Sequence, residues 1–266
     1  MNGSSKAMRG RAELVQALIA MAERAGGEIL SVYESAFRVQ SKDDASPVTD
    51  ADTRAERVIL EALAAAAPGI PVVAEESVAA GKLPDISGGR FFLVDPLDGT
   101  REFISRNGEF TVNVALVEGA RPVLGVVHLP ALAATYWSDG TRAWRRRGAE
   151  QAIAIACRRP PDDGLVVVAS RSHRDARTDE FLAGQQVKQL ISAGSSLKLC
   201  RVAEGSADLY PRLGRTMEWD IAAGQAVLEA AGGSVRTLDG TPLRYGKPGL
   251  DNPDFVARGL PQEISR

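Results

Sequence analysis

The sequence predicts a layered α/β protein. Three observations carry that reading. Two amphipathic helical stretches open the chain, short β-branched or aromatic runs bounded by turn residues follow between residues 72 and 128, and helix and strand patterns alternate after residue 160. At 266 residues the chain can bury a large core, either as one sizeable domain or as two small ones sharing an interface.

The elements follow in order. Leu14, Leu18, Met21, Ala25 and Ile29 recur at helical spacing, which predicts a first helix over Arg11 to Tyr33. The polar stretch Gln40 to Pro47 reads as a loop, and a second helix starts near Thr49 and runs to the breaker Pro68-Gly69. Strands are expected at Val72 to Ala74, Phe91 to Val94, Thr111 to Val117 and Val123 to His128, with a hairpin over Ala134 to Arg145 turning at Asp139-Gly140. Beyond Pro160-Pro161 come a strand at Leu165 to Ala169 and helices at Asp175 to Ala183, Ser195 to Glu204 and Asp220 to Ala231. Further strands near Ala207 to Tyr210, Ser234 to Thr237 and Phe255 to Ala257 complete this half. The division therefore falls near residues 150 to 160. It gives an N-terminal half, 1–155, and a C-terminal half, 156–266, packed as one unit.

Composition narrows the function. With 44% hydrophobic and 25% charged residues the chain is neither disordered nor fibrous, and 32 basic against 34 acidic residues leave a net charge of −2, too little to attract an anion through a global field. Two cysteines and two histidines are too few for a disulfide framework or a zinc site. No integral membrane segment or signal peptide is read, so the expected location is cytoplasmic, with peripheral contact at the inner membrane left open. Arg142 to Arg147 with Trp144 suggests charge and stacking for nucleic acid, but arginines on a hairpin edge have a plainer use in blocking edge pairing, and no nucleic-acid partner is expected. His128 reads as a packed sheet residue.

The chemistry concentrates in acidic motifs. Asp95-Pro96-Leu97-Asp98-Gly99-Thr100 follows a strand, so a Pro-containing turn can aim both carboxylates and the Leu97 carbonyl at one point, a hard-oxygen pocket suited to magnesium. Gly99 allows close backbone approach, and the Thr100 hydroxyl can hold a phosphate oxygen. The bland alternative is an ordinary strand-end turn. Glu75-Glu76 ends another strand and reads either as further ligands or as a charged loop. Asp220 stands where a helix N-cap belongs, and Thr49 with Asp52 resembles a capping pair; each aspartate also has a catalytic reading, Asp220 as ligand and Asp52 as the base that takes a proton from water. Gly194-Ser195-Ser196 should open a helix whose N-terminus attracts phosphate, with Lys198 on its first turn adding charge and Ser170 and His173 flanking from a strand–helix junction. Solvation of Lys198 and local capping by His173 are the alternatives.

Taken together, Glu75-Glu76, Asp95 to Thr100 and Trp219-Asp220-Ile221-Ala222-Ala223 resemble the ordered signatures of the inositol monophosphatase superfamily. Within it the chain is most similar to the bacterial 3′(2′),5′-bisphosphate nucleotidases of the CysQ type, through Asp95 to Asn113, Ser170 to His173 and Gly194 to Lys198. The resemblance implies the sugar-phosphatase fold, an αβαβα five-layer sandwich. It implies magnesium, two or three ions with manganese as a substitute, held by Glu75, Asp95, the Leu97 carbonyl, Asp98 and Asp220, with Asp52 and Thr100 orienting and deprotonating water. It further implies sensitivity to lithium and a place in sulfur metabolism. Substrate contacts are then expected from Glu75, Leu97, Asp98, Gly99, Thr100, Ser170, His173, Gly194, Ser195, Lys198 and Asp220. The partner is a small nucleotide or sugar phosphate, and a homodimer is compatible with a sequence that leaves the oligomeric state open. The implied activity is hydrolysis of 3′-phosphoadenosine 5′-phosphate to AMP and phosphate. Alternatives are an inositol-1-phosphate or fructose-1,6-bisphosphate phosphatase on the same scaffold, or a non-catalytic phosphate sensor, against which intact Asp52 and Thr100 count.

Overall fold

Period-two alternation in the run Phe91 to Val94 sends Phe91 and Leu93 into one core and Phe92 and Val94 into another, so this strand belongs to a sheet covered on both faces. The computed structural model describes residues 2–34, 39–41, 47–170 and 176–261, with side chains for 10–34, 50–170 and 176–261. Its helices are α1 (Asn2–Tyr33), α2 (Asp50–Ala66), α3 (Glu75–Ala79), α4 (Thr100–Ile104), α5 (Ala176–Ala183), α6 (Leu197–Ala203) and α7 (Glu218–Ala230). Its strands are β1 (Val39–Ser41), β2 (Pro47–Thr49), β3 (Val72–Ala74), β4 (Arg90–Asp98), β5 (Thr111–Glu118), β6 (Arg121–Leu129), β7 (Ala134–Ser138), β8 (Ala143–Arg147), β9 (Ile153–Ile155), β10 (Leu165–Ser170), β11 (Val187–Ala193), β12 (Leu209–Arg212), β13 (Ser234–Thr237) and β14 (Phe255–Arg258).

Seven strands join in sequence order, β3 to β9; β3 lies parallel to β4 and every later neighbour pairs antiparallel. A second sheet has the order β11-β10-β12-β14-β13. Helices α1 and α2 cover one face of the first sheet, where Leu18, Ile29 and Ile59 meet Phe92, Val94 and Val126. On its other face Phe91, Leu93 and Val127 share a core with Leu199 of α6, Val227 of α7, and Val168, Tyr210 and Phe255 of the second sheet. Leu182 of α5 closes the far side over Val167, Leu209 and Val256. The order α, β, α, β, α is the five-layer sandwich expected. The central layer is tight: a Cβ on Gly125 of β6 would stand 2.4 Å from the Ala223 carbonyl of α7, so only glycine lets helix and sheet approach this closely.

Several elements differ from expectation. The segment read as a loop over Gln40 to Pro47 carries β1 and β2 at its ends, paired antiparallel. Short α3 and α4 and the edge strand β11 were not foreseen; β11 is largely exposed and shows little apolar alternation. The hairpin forms as expected, with Trp137 opposite Trp144. Three of its arginines are ion-paired: Arg145 donates to Glu204 at 2.6 Å, Arg146 pairs with Glu23 and Arg147 lies 3.8 Å from Glu204. Among the described residues no helix is long and apolar enough to cross a membrane.

Candidate active site

Two aspartates three apart on a regular strand would face opposite sides of the sheet. Here β4 continues through the motif, and Asp95 pairs with Asn113 while Asp98 pairs with Thr111, so β4 carries one extra residue in a bulge at Pro96-Leu97. The bulge resets the alternation and brings both carboxylates to one cavity. Pro96 is tolerated there because a bulge needs no ladder N–H. The motif is thus a bulged strand end and not the separate turn that its proline suggested. The Leu97 N–H donates to Asp95 Oδ1 at 3.1 Å, and Gly99, at φ 89°, turns the chain into α4, whose first residue is Thr100. The Thr100 hydroxyl reaches the Leu97 carbonyl at 3.5 Å.

The cavity has a volume of about 240 Å³ and is walled by both sheets. Glu75, Asp95, Leu97, Asp98, Gly99, Thr100, Ser170, Ser195, Lys198 and Asp220 all border it. Asp52 is buried close by; its charge, with those of Glu75, Asp98 and Asp220, adds to burial in pushing the Asp95 carboxyl well above the usual range. Enclosure likewise raises Asp220, with Asp98 and Glu75 next in effect. Such a cluster calls for cations. Its donors are all oxygen, the choice of magnesium or manganese over zinc. Among the described residues no three acidic, histidine or cysteine side chains stand together as a ready-made metal cage.

Asp220 is not an N-cap. Helix α7 begins two residues earlier at Glu218, which puts Asp220 at the third helical position, where its Oδ2 accepts the Met217 N–H at 2.9 Å. Asp52 likewise stands third in α2, as the capping-pair spacing with Thr49 implied, although the Thr49 side chain lies outside the described residues. His173 also lies outside them.

Ser195 and Ser196 do not cap α6, which begins at Leu197 with no side-chain cap. Ser195 is held at φ 53° and donates from Oγ to Asp98 Oδ2 at 2.6 Å, while the same oxygen receives the Ser196 N–H at 2.8 Å and its hydroxyl at 3.1 Å. Thr111 and Asn113 approach it from β5, each at 3.4 Å. Asp98 Oδ2 is therefore crowded with donors. Ser196 Oγ also lies 2.7 Å from the Asp220 carbonyl, tying the start of α7 to the same knot.

Gly194 does not border the cavity, and its N–H donates to Glu109 at 2.8 Å. Lys198 is buried at the cavity floor, with Nζ donating to the Ser195 carbonyl at 2.6 Å and lying 5.5 Å from the Tyr210 ring centre. Burial draws its ammonium down to about 8, although Asp98 opposes the shift. Beside it stand Arg101, Arg212 and Arg215, which sequence reasoning did not single out. Arg212 donates to the Arg215 carbonyl at 3.0 Å, and its buried Nε has no hydrogen-bond partner among the described residues. The one available signal was the basic pair after the strand ending at Tyr210. Carboxylates and guanidinium groups lining one cavity suit a phosphate-bearing anion held together with cations.

Comparison with known proteins gives the same direction. A family model described as the inositol monophosphatase family matches residues 11–261. The 3′(2′),5′-bisphosphate nucleotidase CysQ of Salmonella typhimurium is 46% identical over 235 residues, covering 87% of this chain and 94% of that protein. The protein of the same name from Escherichia coli K12 is 46% identical over 228 residues, covering 85% and 91%. Among solved structures, CysQ from Bacteroides thetaiotaomicron superposes with a TM-score of 0.79 at 39% identity, over 92% of this chain and 96% of that one. An inositol monophosphatase from Anabaena gives 0.71 at 27% identity, over 92% and 89%.

Proposed function

Because the chain belongs to the inositol monophosphatase family, we propose that it is a metal-dependent 3′(2′),5′-bisphosphate nucleotidase releasing phosphate from 3′-phosphoadenosine 5′-phosphate to leave AMP. The observation that carries the reading is the two-signed cavity, in which Glu75, Asp95, Asp98 and Asp220 share one lining with Lys198, Arg212 and Arg215. A phosphate monoester resists attack because it is an anion, so charge neutralisation and alignment are what catalysis must supply. Glu75, Asp95, the Leu97 carbonyl, Asp98 and Asp220 would hold the ions. Two or three magnesium ions, or manganese, supply when bound the positive charge that offsets the phosphoryl oxygens and polarises the attacking water.

The remaining work falls to the chain. Thr100 and Asp52 orient the water, and the Asp52 carboxylate accepts its proton as oxygen joins phosphorus and the ester bond breaks, the departing 3′-oxygen taking a proton from solvent to become a hydroxyl of AMP. Lys198, Arg212 and Ser195 hold the phosphate that is not cleaved, and Ser170 borders the nucleoside. An inositol monophosphate has no second phosphate for those cations, which favours the bisphosphate over the inositol-phosphatase alternative. The reading carries with it a cytoplasmic enzyme of sulfur metabolism. Phosphate release from 3′-phosphoadenosine 5′-phosphate, inositol 1-phosphate and fructose 1,6-bisphosphate, with and without magnesium, tests it. The bisphosphate nucleotide should give the highest kcat/KM and require the metal; faster turnover of inositol 1-phosphate would overturn the assignment.

A further inference from the structure

Helix α2 brings two carboxylates to the same end of the molecule, Asp52 beside the cavity and, one turn later, Glu56. Glu56 is buried, 5% exposed, yet it does not border the cavity. Each of its oxygens has a defined partner: Oε2 accepts the Glu76 N–H at 2.8 Å and Oε1 accepts the Ser77 hydroxyl at 2.6 Å. Those donors belong to the first turn of α3, and the residue before that helix, Ala74, offers no side-chain cap. Glu56 thus does from another helix what an N-cap side chain does locally. The first residue of α3 is Glu75, a wall of the cavity.

We propose that Glu56 is a positioning residue for metal binding: its carboxylate clamps the first turn of α3 and thereby fixes Glu75 relative to Asp52 on its own helix. The proposal rests on the reading of Glu75 as a metal ligand given above. On its strand side Glu75 follows Ala74, paired with Val94 of β4; on its helix side the five-residue α3 has no cap of its own, and the Glu56 carboxylate supplies one. With Glu56 in place, the ligand and the proton acceptor share one rigid support, α2.

Binding of Mn²⁺ to the full-length protein without substrate, followed by the electron paramagnetic resonance of the free ion, reads this directly. Glu56→Ala should weaken Mn²⁺ binding about tenfold or more, the usual effect of losing a group that orients a ligand. Glu56→Gln keeps an acceptor for the Glu76 N–H and should stay within about threefold of the parent. Unchanged Mn²⁺ affinity in Glu56→Ala, or equal losses in both variants, would overturn the proposal, the second because charge and not the clamp would then be responsible. Should Glu56→Ala fail to fold, Ser77→Ala removes one of the two bonds and carries the same test: weaker Mn²⁺ binding at an unchanged melting temperature supports the clamp, and unchanged binding overturns it. Glu75→Gln is the control for the underlying reading. If it binds Mn²⁺ normally, the ligand assignment fails, whatever Glu56 does.

Discussion

One oxygen of Asp98 gathers Ser195, Ser196, Thr111 and Asn113, so the carboxylate proposed above as a metal ligand has a second task, the joining of segments from both sheets. Asp98→Asn would turn an amide N–H toward those donors or present a weaker acceptor, and it should both abolish most turnover and lower stability by about 1–3 kcal/mol. Asp95→Asn disturbs one local bond, to the Leu97 N–H, and should lose turnover with a smaller change in melting temperature. Kinetics and thermal melts on both variants check this; an Asp98→Asn protein as stable as Asp95→Asn would contradict the second task. Lys198→Met, which keeps volume against Tyr210, should raise KM for the bisphosphate by about 10–100-fold while KM for a monophosphate moves by less than about threefold. Equal increases would assign Lys198 to the reacting phosphate instead. The acidic motif was readable because its spacing is local. The serine web was not, because Asp98 and Ser195 are distant in sequence and their hydroxyls looked like ordinary caps.

At the scale of elements, α1 is fastened to the first sheet by a polar chain crossing an otherwise apolar contact. His128 on β6 exchanges a hydrogen bond with Thr135 on β7 at 3.0 Å, Thr135 donates to Glu23 of α1 at 2.9 Å, and Glu23 pairs with Arg146 on β8. Burial pushes the His128 imidazole down to about 4, with Glu23 opposing and Arg146 adding to the shift. The sign follows from linkage. Between pH 6.5 and 4 the unfolded chain takes up a proton that the folded one refuses, so this site's stability is whole above pH 6.5 and is lost as the pH falls towards 4. From pH 7 to 5 the loss is about 2 kcal/mol. Urea unfolding at the two pH values should show that drop in the parent and a flatter response in His128→Gln; parallel slopes would remove His128 as the cause. Long helices and alternating strands were legible from periodicity. Helices α3 and α4 were not, since five residues hold too little periodicity and each is begun by a feature beyond its own sequence, the Glu56 carboxylate or the left-handed Gly99.

At the scale of the molecule, α6 and α7 are common property, packed against strands of both sheets in one core. We read the halves 1–155 and 156–266 as one cooperative unit for that reason. Far-ultraviolet circular dichroism should then give the same urea midpoint as tryptophan fluorescence, which sees Trp137 and Trp144 in one half and Trp219 in the other. Two resolved midpoints would argue for separately stable halves. The layered class was legible because alternation and spacing are properties of the whole pattern; which helix lies between the sheets depends on contacts such as Gly125 against Ala223, which no local pattern announces. The knot at Asp98 also sets an order in time. A ribosome delivers Asp98 early and Asp220 about 120 residues later, which at common rates of synthesis is roughly ten seconds. For most of that interval the nascent chain carries Glu75, Asp95 and Asp98 without Ser195, Ser196 or Asp220. A chain released before Asp220 therefore lacks one of the carboxylates that the cavity gathers.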